Sequence, residues 1–202
     1  AMYPLTPLKI YALDRVYADK RCMARMARIL DALGEAPSSV VLITEANLPD
    51  VVAELEALWP PESVPPGAVR TFMRPLVFTT MDLDYKRPDL EPLLRRCAPG
   101  TSADTVGKIY GHMTTAIDQH PHHLDQRNNC VCWPTYNFGT VSGCPHGCHY
   151  CGAGREGKFL TIALNLEEYM EQVVGPVIEA NPWSRVFRMI LDGADLITLE
   201  PE

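Results

Sequence analysis

The chain has 202 residues, which allows one large or two small domains with a full core. Apolar residues make up 47% and charged residues 21%, an ordinary globular balance, and no apolar run approaches the ~20 residues of a membrane-spanning helix. The formal charge of −7 argues against a nonspecific grip on nucleic-acid phosphates across the whole surface. In chain order, Leu8–Leu13 reads as a short strand. Asp19–Leu33 reads as a helix, because Met23, Met26, Ala27, Leu30 and Leu33 recur at three- and four-residue steps and Gly34 stops it. Val40–Ile43 is a second buried strand and Leu48–Leu58 a second helix, ended by Trp59 and Pro60-Pro61. Residues 61–67 are a loop, and Thr71–Thr80 is apolar enough for a strand. Asp82–Gly100 is rich in proline and charge, with one short helix around Leu90–Arg96. These segments make residues 1–100 an N-terminal α/β domain, followed by an irregular linker over 101–135.

From Pro134 the pattern changes. Tyr136–Val141 predicts a strand running straight into Cys144-Pro-His-Gly-Cys148-His-Tyr-Cys151. Three thiolates this close can reach one inorganic centre, and three cannot fill four tetrahedral positions, so one position stays open for chemistry. Gly143, Gly147, Gly152 and Gly154 let the loop wrap a ligand closely. A zinc cage is the alternative, with His146 or His149 as fourth ligand to Cys144, Cys148 and Cys151. Beyond the loop, Phe159–Leu164 is an apolar run. Leu166–Ala180 is a helix with Asn165 as its cap and Glu167 and Glu168 in the first turn. Pro182 follows, and Val186–Leu191 is a strand, which gives a βαβ order.

Cys144, Cys148, Tyr150 and Cys151, spaced Cys-x3-Cys-x2-Cys with an aromatic before the last cysteine, resemble the radical SAM superfamily. The resemblance implies a 4Fe–4S cluster on three thiolates, its fourth iron chelated by the amino and carboxylate groups of S-adenosylmethionine. It implies reductive cleavage of that cofactor to a 5′-deoxyadenosyl radical, which abstracts hydrogen from a substrate. It also implies an external electron donor, a DNA lesion or another large molecule as substrate, and a partial (βα)6 barrel opening at residue 136. Tyr150 would pack near the cofactor adenine, and Asp192 and Gly193 stand where the superfamily holds the methionine amino group. Six βα units at about 30 residues each need roughly 180 residues. Residues 136–202 supply 67, so a truncated barrel is expected.

The order of an N-terminal α/β unit, a linker, the cysteine loop, Leu164-Asn-Leu-Glu-Glu168 and Leu199-Glu-Pro201 resembles the spore photoproduct lyase family, best over 136–202. Members of that family reverse a thymine–thymine photoproduct in spore DNA. Two departures stand out. The family places a hydrogen-donating cysteine in the region matching 192–198, and this chain has no cysteine after Cys151. Gly152-Ala153-Gly154 also replaces the usual Tyr-Leu after the third cluster cysteine.

Seven cysteines, three within eight residues, suit a reduced cytoplasm better than a disulfide framework. Cys130 and Cys132 are read as buried thiols, with a second metal or a hydrogen donor as the alternatives, and His120-Pro-His-His123 as an exposed loop. Arg155 and Lys158 could meet the methionine carboxylate, although surface placement is the plainer reading. Cys22 and Cys97 are packing residues. The basic residues between Arg70 and Arg96 are read as solvated surface, with a local nucleic-acid groove as the alternative.

Overall fold

The computed structural model describes residues 6–58, 72–83, 89–111, 135–137, 139–143, 159–180, 182 and 186–188; at 6, 72–73, 135–137 and 186–188 the description is of the backbone alone. The fold is mixed α/β. Its centre is a five-stranded sheet in the order β3-β2-β5-β8-β7. The strands are β2 (Ile10–Leu13), β3 (Val40–Ile43), β5 (Leu76–Thr79), β7 (Val141–Ser142) and β8 (Leu160–Ala163). The first three and β8 run parallel, with Ile10 opposite Val40 and Leu76, and Leu76 opposite Leu160. Only the edge strand β7 is antiparallel, a common finish for a mostly parallel sheet.

The strands β2, β5 and β8 are buried at every position because both faces of the sheet are covered. Helix α1 (Lys20–Leu33) covers one face, packing Cys22, Met26, Ile29 and Leu30 against Ile10, Ala12, Leu76, Phe78, Leu160 and Ile162. Helices α2 (Leu48–Leu58) and α4 (Ala103–Ile109) cover the other, placing Val51, Val52, Leu55, Val106 and Ile109 against Tyr11, Leu13, Val77 and Phe159. Asp19 caps α1 by accepting from the Arg21 amide at 2.7 Å. Gly34 ends it in the left-handed region at φ 71°, as its position after the last apolar residue predicts.

Several elements differ from the sequence reading. The run 71–80 is two strands, β4 (Phe72–Met73) and β5, and β4 pairs in parallel with β1 (Thr6–Pro7). Pro75 supplies no amide to a ladder, and its carbonyl instead accepts from Leu160 N at 2.8 Å. The short helix α3 is confined to Glu91–Leu94. Residues 103–109, inside the stretch read as linker, form α4 with Ser102 as N-cap, accepting from the Asp104 amide at 3.1 Å. The Tyr136–Val141 strand is split into β6 (Thr135–Asn137) and β7, which belong to different sheets. β6 pairs in parallel with β9 (Val186–Arg188), Tyr136 opposite Phe187.

The helix over 166–180 is divided into α5 (Leu166–Tyr169), a π-turn over Met170–Val174 and α6 (Gly175–Ala180). Pro176 has no amide to give an ordinary turn, and the Gly175 amide reaches back to Met170 O, five residues away. Asn165 makes no side-chain cap bond to this helix. Its buried amide clips onto Met81 instead: Met81 N donates to Oδ1 at 2.7 Å, and Nδ2 donates to Met81 O at 3.0 Å and to Glu168 Oε2 at 2.9 Å. The loop read at 61–67 and the last residues of the chain lie outside the described residues.

Candidate functional site

The expected ligands Cys144, Cys148 and Cys151 lie outside the described residues, as do Tyr150, Asp192 and Gly193. So do Cys130, Cys132, His120–His123, His146, His149, Arg155 and Lys158. Among the described residues no group of three or more His, Cys, Asp and Glu side chains could hold a metal.

The structure does describe the root from which the cysteine segment starts and to which it returns. β7 and β8 are antiparallel neighbours, with Val141 opposite Ile162 and Ser142 opposite Thr161. The Ala163 amide donates to Thr140 O at 2.7 Å, and this bond extends the ladder beyond the two-residue strand. Residues 144–158 therefore join two points of one narrow ladder. At its mouth Gly143 has φ 87°, a conformation that side chains rarely adopt. A Cβ there would stand 2.5 Å from the Phe159 carbonyl oxygen. Two constraints, backbone conformation and backbone approach, thus demand glycine one residue before Cys144.

The returning end is fixed just as firmly. Leu160 N bonds Pro75 O at 2.8 Å, and Leu164 N bonds Thr79 O at 2.9 Å, tying β8 along β5. Val141 and Ile162 face the α1 core, whereas Ser142 and Thr161 face the opposite side. The hydroxyls of Thr140, Ser142 and Thr161 are buried there and find no hydrogen-bond partner among the described residues. Thr79 on the same face is satisfied, donating to Ile109 O at 2.7 Å.

The two described cysteines are not reactive thiolates. Burial pushes the Cys22 thiol up to about 11, with the Asp19 and Glu167 carboxylates adding to it. Burial also raises Cys97, whose Sγ donates to Leu93 O at 3.4 Å. Both match their reading as packing residues. Sequence reasoning missed the pinch at Gly143 because four glycines surround the cysteines and nothing in the sequence ranks them. It missed the Asn165 clip because the partner, Met81, is 84 residues away.

No protein-family description matches the chain, and no curated protein matches it. Three solved structures do, all of spore photoproduct lyase. One is a cysteine-to-alanine mutant with dinucleoside spore photoproduct, at 12% identity and TM-score 0.49, covering 97% of this chain. Another carries a second substitution and bound AdoMet along with the photoproduct, at 12% identity and TM-score 0.47. A tyrosine-to-phenylalanine mutant matches at 13% identity and TM-score 0.48. The chain spans 42 to 43% of the length of these proteins.

Proposed function

We propose that the protein is a radical SAM enzyme resembling the spore photoproduct lyases, and that residues 136–202 open its barrel. The observation that carries the reading is the Cys144-x3-Cys148-x2-Cys151 spacing with Tyr150 before the last cysteine, on a segment whose two ends are pinned together. The parallel pairing of β6 with β9 supports the βαβ start of such a barrel, with the helix over 166–180 between them in sequence and β7 and β8 joined to the five-stranded sheet. The donor set fits a 4Fe–4S cluster: three thiols within eight residues leave one iron open to S-adenosylmethionine. When bound, the pair would supply reductive cleavage of the sulfonium and a 5′-deoxyadenosyl radical that abstracts hydrogen from substrate.

The chain's own contribution is to hold and orient. The β7–β8 ladder fixes where the segment begins and ends, which lowers the conformational entropy lost when three thiolates converge. Tyr150 would pack beside the cofactor adenine, and Asp192 and Gly193 would receive its amino group. Residues 192–198, where the family places its hydrogen-donating cysteine, hold none, so thymine-photoproduct repair is not carried over.

Anaerobic reconstitution with iron and sulfide tests the proposal. The wild-type chain should turn brown. Each of Cys144→Ala, Cys148→Ala and Cys151→Ala should lose the colour and the bound iron, whereas Cys22→Ala and Cys97→Ala should keep both. The reconstituted protein should release 5′-deoxyadenosine when dithionite and S-adenosylmethionine are supplied. Colourless protein holding zinc, with His146 or His149 as a fourth ligand, would refute the reading and establish the zinc cage in its place.

A further inference from the structure

A cavity of about 270 Å³ opens at the root of the cysteine segment, and its chemistry is unlike that of a phosphate or nucleic-acid site. Phe159, the residue at which the chain re-enters the sheet, forms part of its wall. Phe159 is 6% exposed and packs in one core with Val77, Val106 and Ile109, so its position is set by that core and only a small part of it borders the cavity. The polar wall comes from α2 through Glu56 and from α4 through Ser102, Asp104, Thr105 and Lys108.

Charge selects the ligand. Lys108 Nζ lies 2.9 Å from Asp104 Oδ2, one turn away on the same helix, so its ammonium is already neutralised. No hydrogen bond or ion pair engages the half-buried Glu56 carboxylate among the described residues. Two carboxylates against one ammonium leave the cavity with one net negative charge. An anion would therefore meet repulsion and, among the described residues that line the cavity, no unpaired cation. A protonated amine would meet the Glu56 carboxylate directly. The hydroxyls of Ser102 and Thr105 add short-range polar contacts, and the ring of Phe159 offers apolar surface.

We propose that this cavity binds a small monocationic amine with a compact apolar body, its ammonium paired to Glu56 and its body against Phe159. The inference goes beyond the proposed radical chemistry and rests on the cavity lining alone, so it can fail while that reading stands, and the reverse. A bound amine would touch the residue that closes the cysteine segment.

The test compares three probes with one aromatic body: 2-phenylethylamine, 2-phenylethanol and phenylacetate. Each is titrated calorimetrically into the full chain at neutral pH, with and without iron loading. The amine should bind at least tenfold more tightly than the alcohol, and phenylacetate should give no saturable heat. Glu56→Gln should weaken the amine at least tenfold and leave the alcohol unchanged. Thr105→Lys, which sets a second ammonium in the cavity, should weaken the amine similarly should Glu56→Gln fail to fold. Equal binding of the three probes, no binding of the amine, or an amine affinity indifferent to the substitution that folds would overturn the proposal.

Discussion

Replacing Gly143 by alanine isolates the constraint at the mouth of the cysteine segment. Gly34 is the natural control, since both glycines have positive φ, 87° and 71°, but only one is crowded. A Cβ at Gly34 would meet nothing within 4 Å, whereas one at Gly143 would stand 2.5 Å from Phe159 O and 3.5 Å from Leu160 Cα. Backbone strain alone costs about 1–2 kcal/mol for a side chain in the left-handed region, and both variants should show it. Gly143→Ala must also push β7 away from β8, an overpacking cost of about 1–3 kcal/mol. The obstructing atom is backbone, so no side chain can rotate out of the way. Urea unfolding should therefore place Gly143→Ala roughly 1–3 kcal/mol below Gly34→Ala, with unchanged m-values. A gap under about 0.5 kcal/mol, the scatter of ordinary surface substitutions, would refute the claim that the segment is pinched at its root. If the cluster assignment holds, Gly143→Ala should also retain less iron after reconstitution, while Gly34→Ala should match the wild type.

Asn165→Ala should cost about 2–4 kcal/mol in urea unfolding, because it strands a buried amide and a buried carbonyl at Met81, each worth roughly 1–3 kcal/mol unpaired. Asn165→Asp should also destabilise, since a carboxylate can accept from Met81 N but cannot donate to Met81 O and faces Glu168; wild-type stability in either variant would refute the clip. Cys22, with its thiol near 11, should resist iodoacetamide at pH 8 in the folded protein and label fully in urea, as read by peptide mass mapping. Equal labelling in both conditions would contradict its place in the α1 core. The Arg21 amide holds the Asp19 carboxyl below its usual range, so its capping contribution is complete above the unfolded value near ~3.9 and fades as pH falls through the lower folded value. Asp19→Asn keeps a capping oxygen without a titrating group, and its urea midpoint should fall less than the wild type's between pH 6 and pH 3.

The parts of the fold legible in the sequence are those whose signal is local. Helix α1 carries its apolar stripe, its capping aspartate and its terminal glycine within sixteen consecutive residues. The strands β2 and β3 are apolar runs bounded by polar residues, although β3, read as buried, lies at the sheet edge with Leu42 45% exposed. What the sequence hid depends on partners far along the chain. The stretch 136–141 looks continuous because nothing local records that β6 pairs with residues fifty positions away while β7 pairs with β8. Helix α4 was hidden by its length, since seven residues with a glycine inside give the apolar period little room. For the candidate site, the sequence offers a cysteine spacing that lies outside the described residues, and it gives no sign of the pinch at Gly143.

Sheet order bears on how the cysteine segment is held. Residues 160–163 lie between β5 and β7, so the strand that receives the returning chain is bonded along its length to a strand of the first eighty residues. Buried side chains on both faces reinforce this: Leu160 and Ile162 contact the same core as α1, and Phe159 the same core as α2 and α4. A displacement of β8 relative to β5 by one residue would carry Leu160 and Ile162 to the opposite face and bring Thr161 into the α1 core, which fixes the register. The orientation of the root is thus set from the N-terminal side of the chain. The substrate-independent part of the proposed chemistry, holding three thiolates at one place, would then depend on the packing of α1 and α2 as much as on the cysteines themselves.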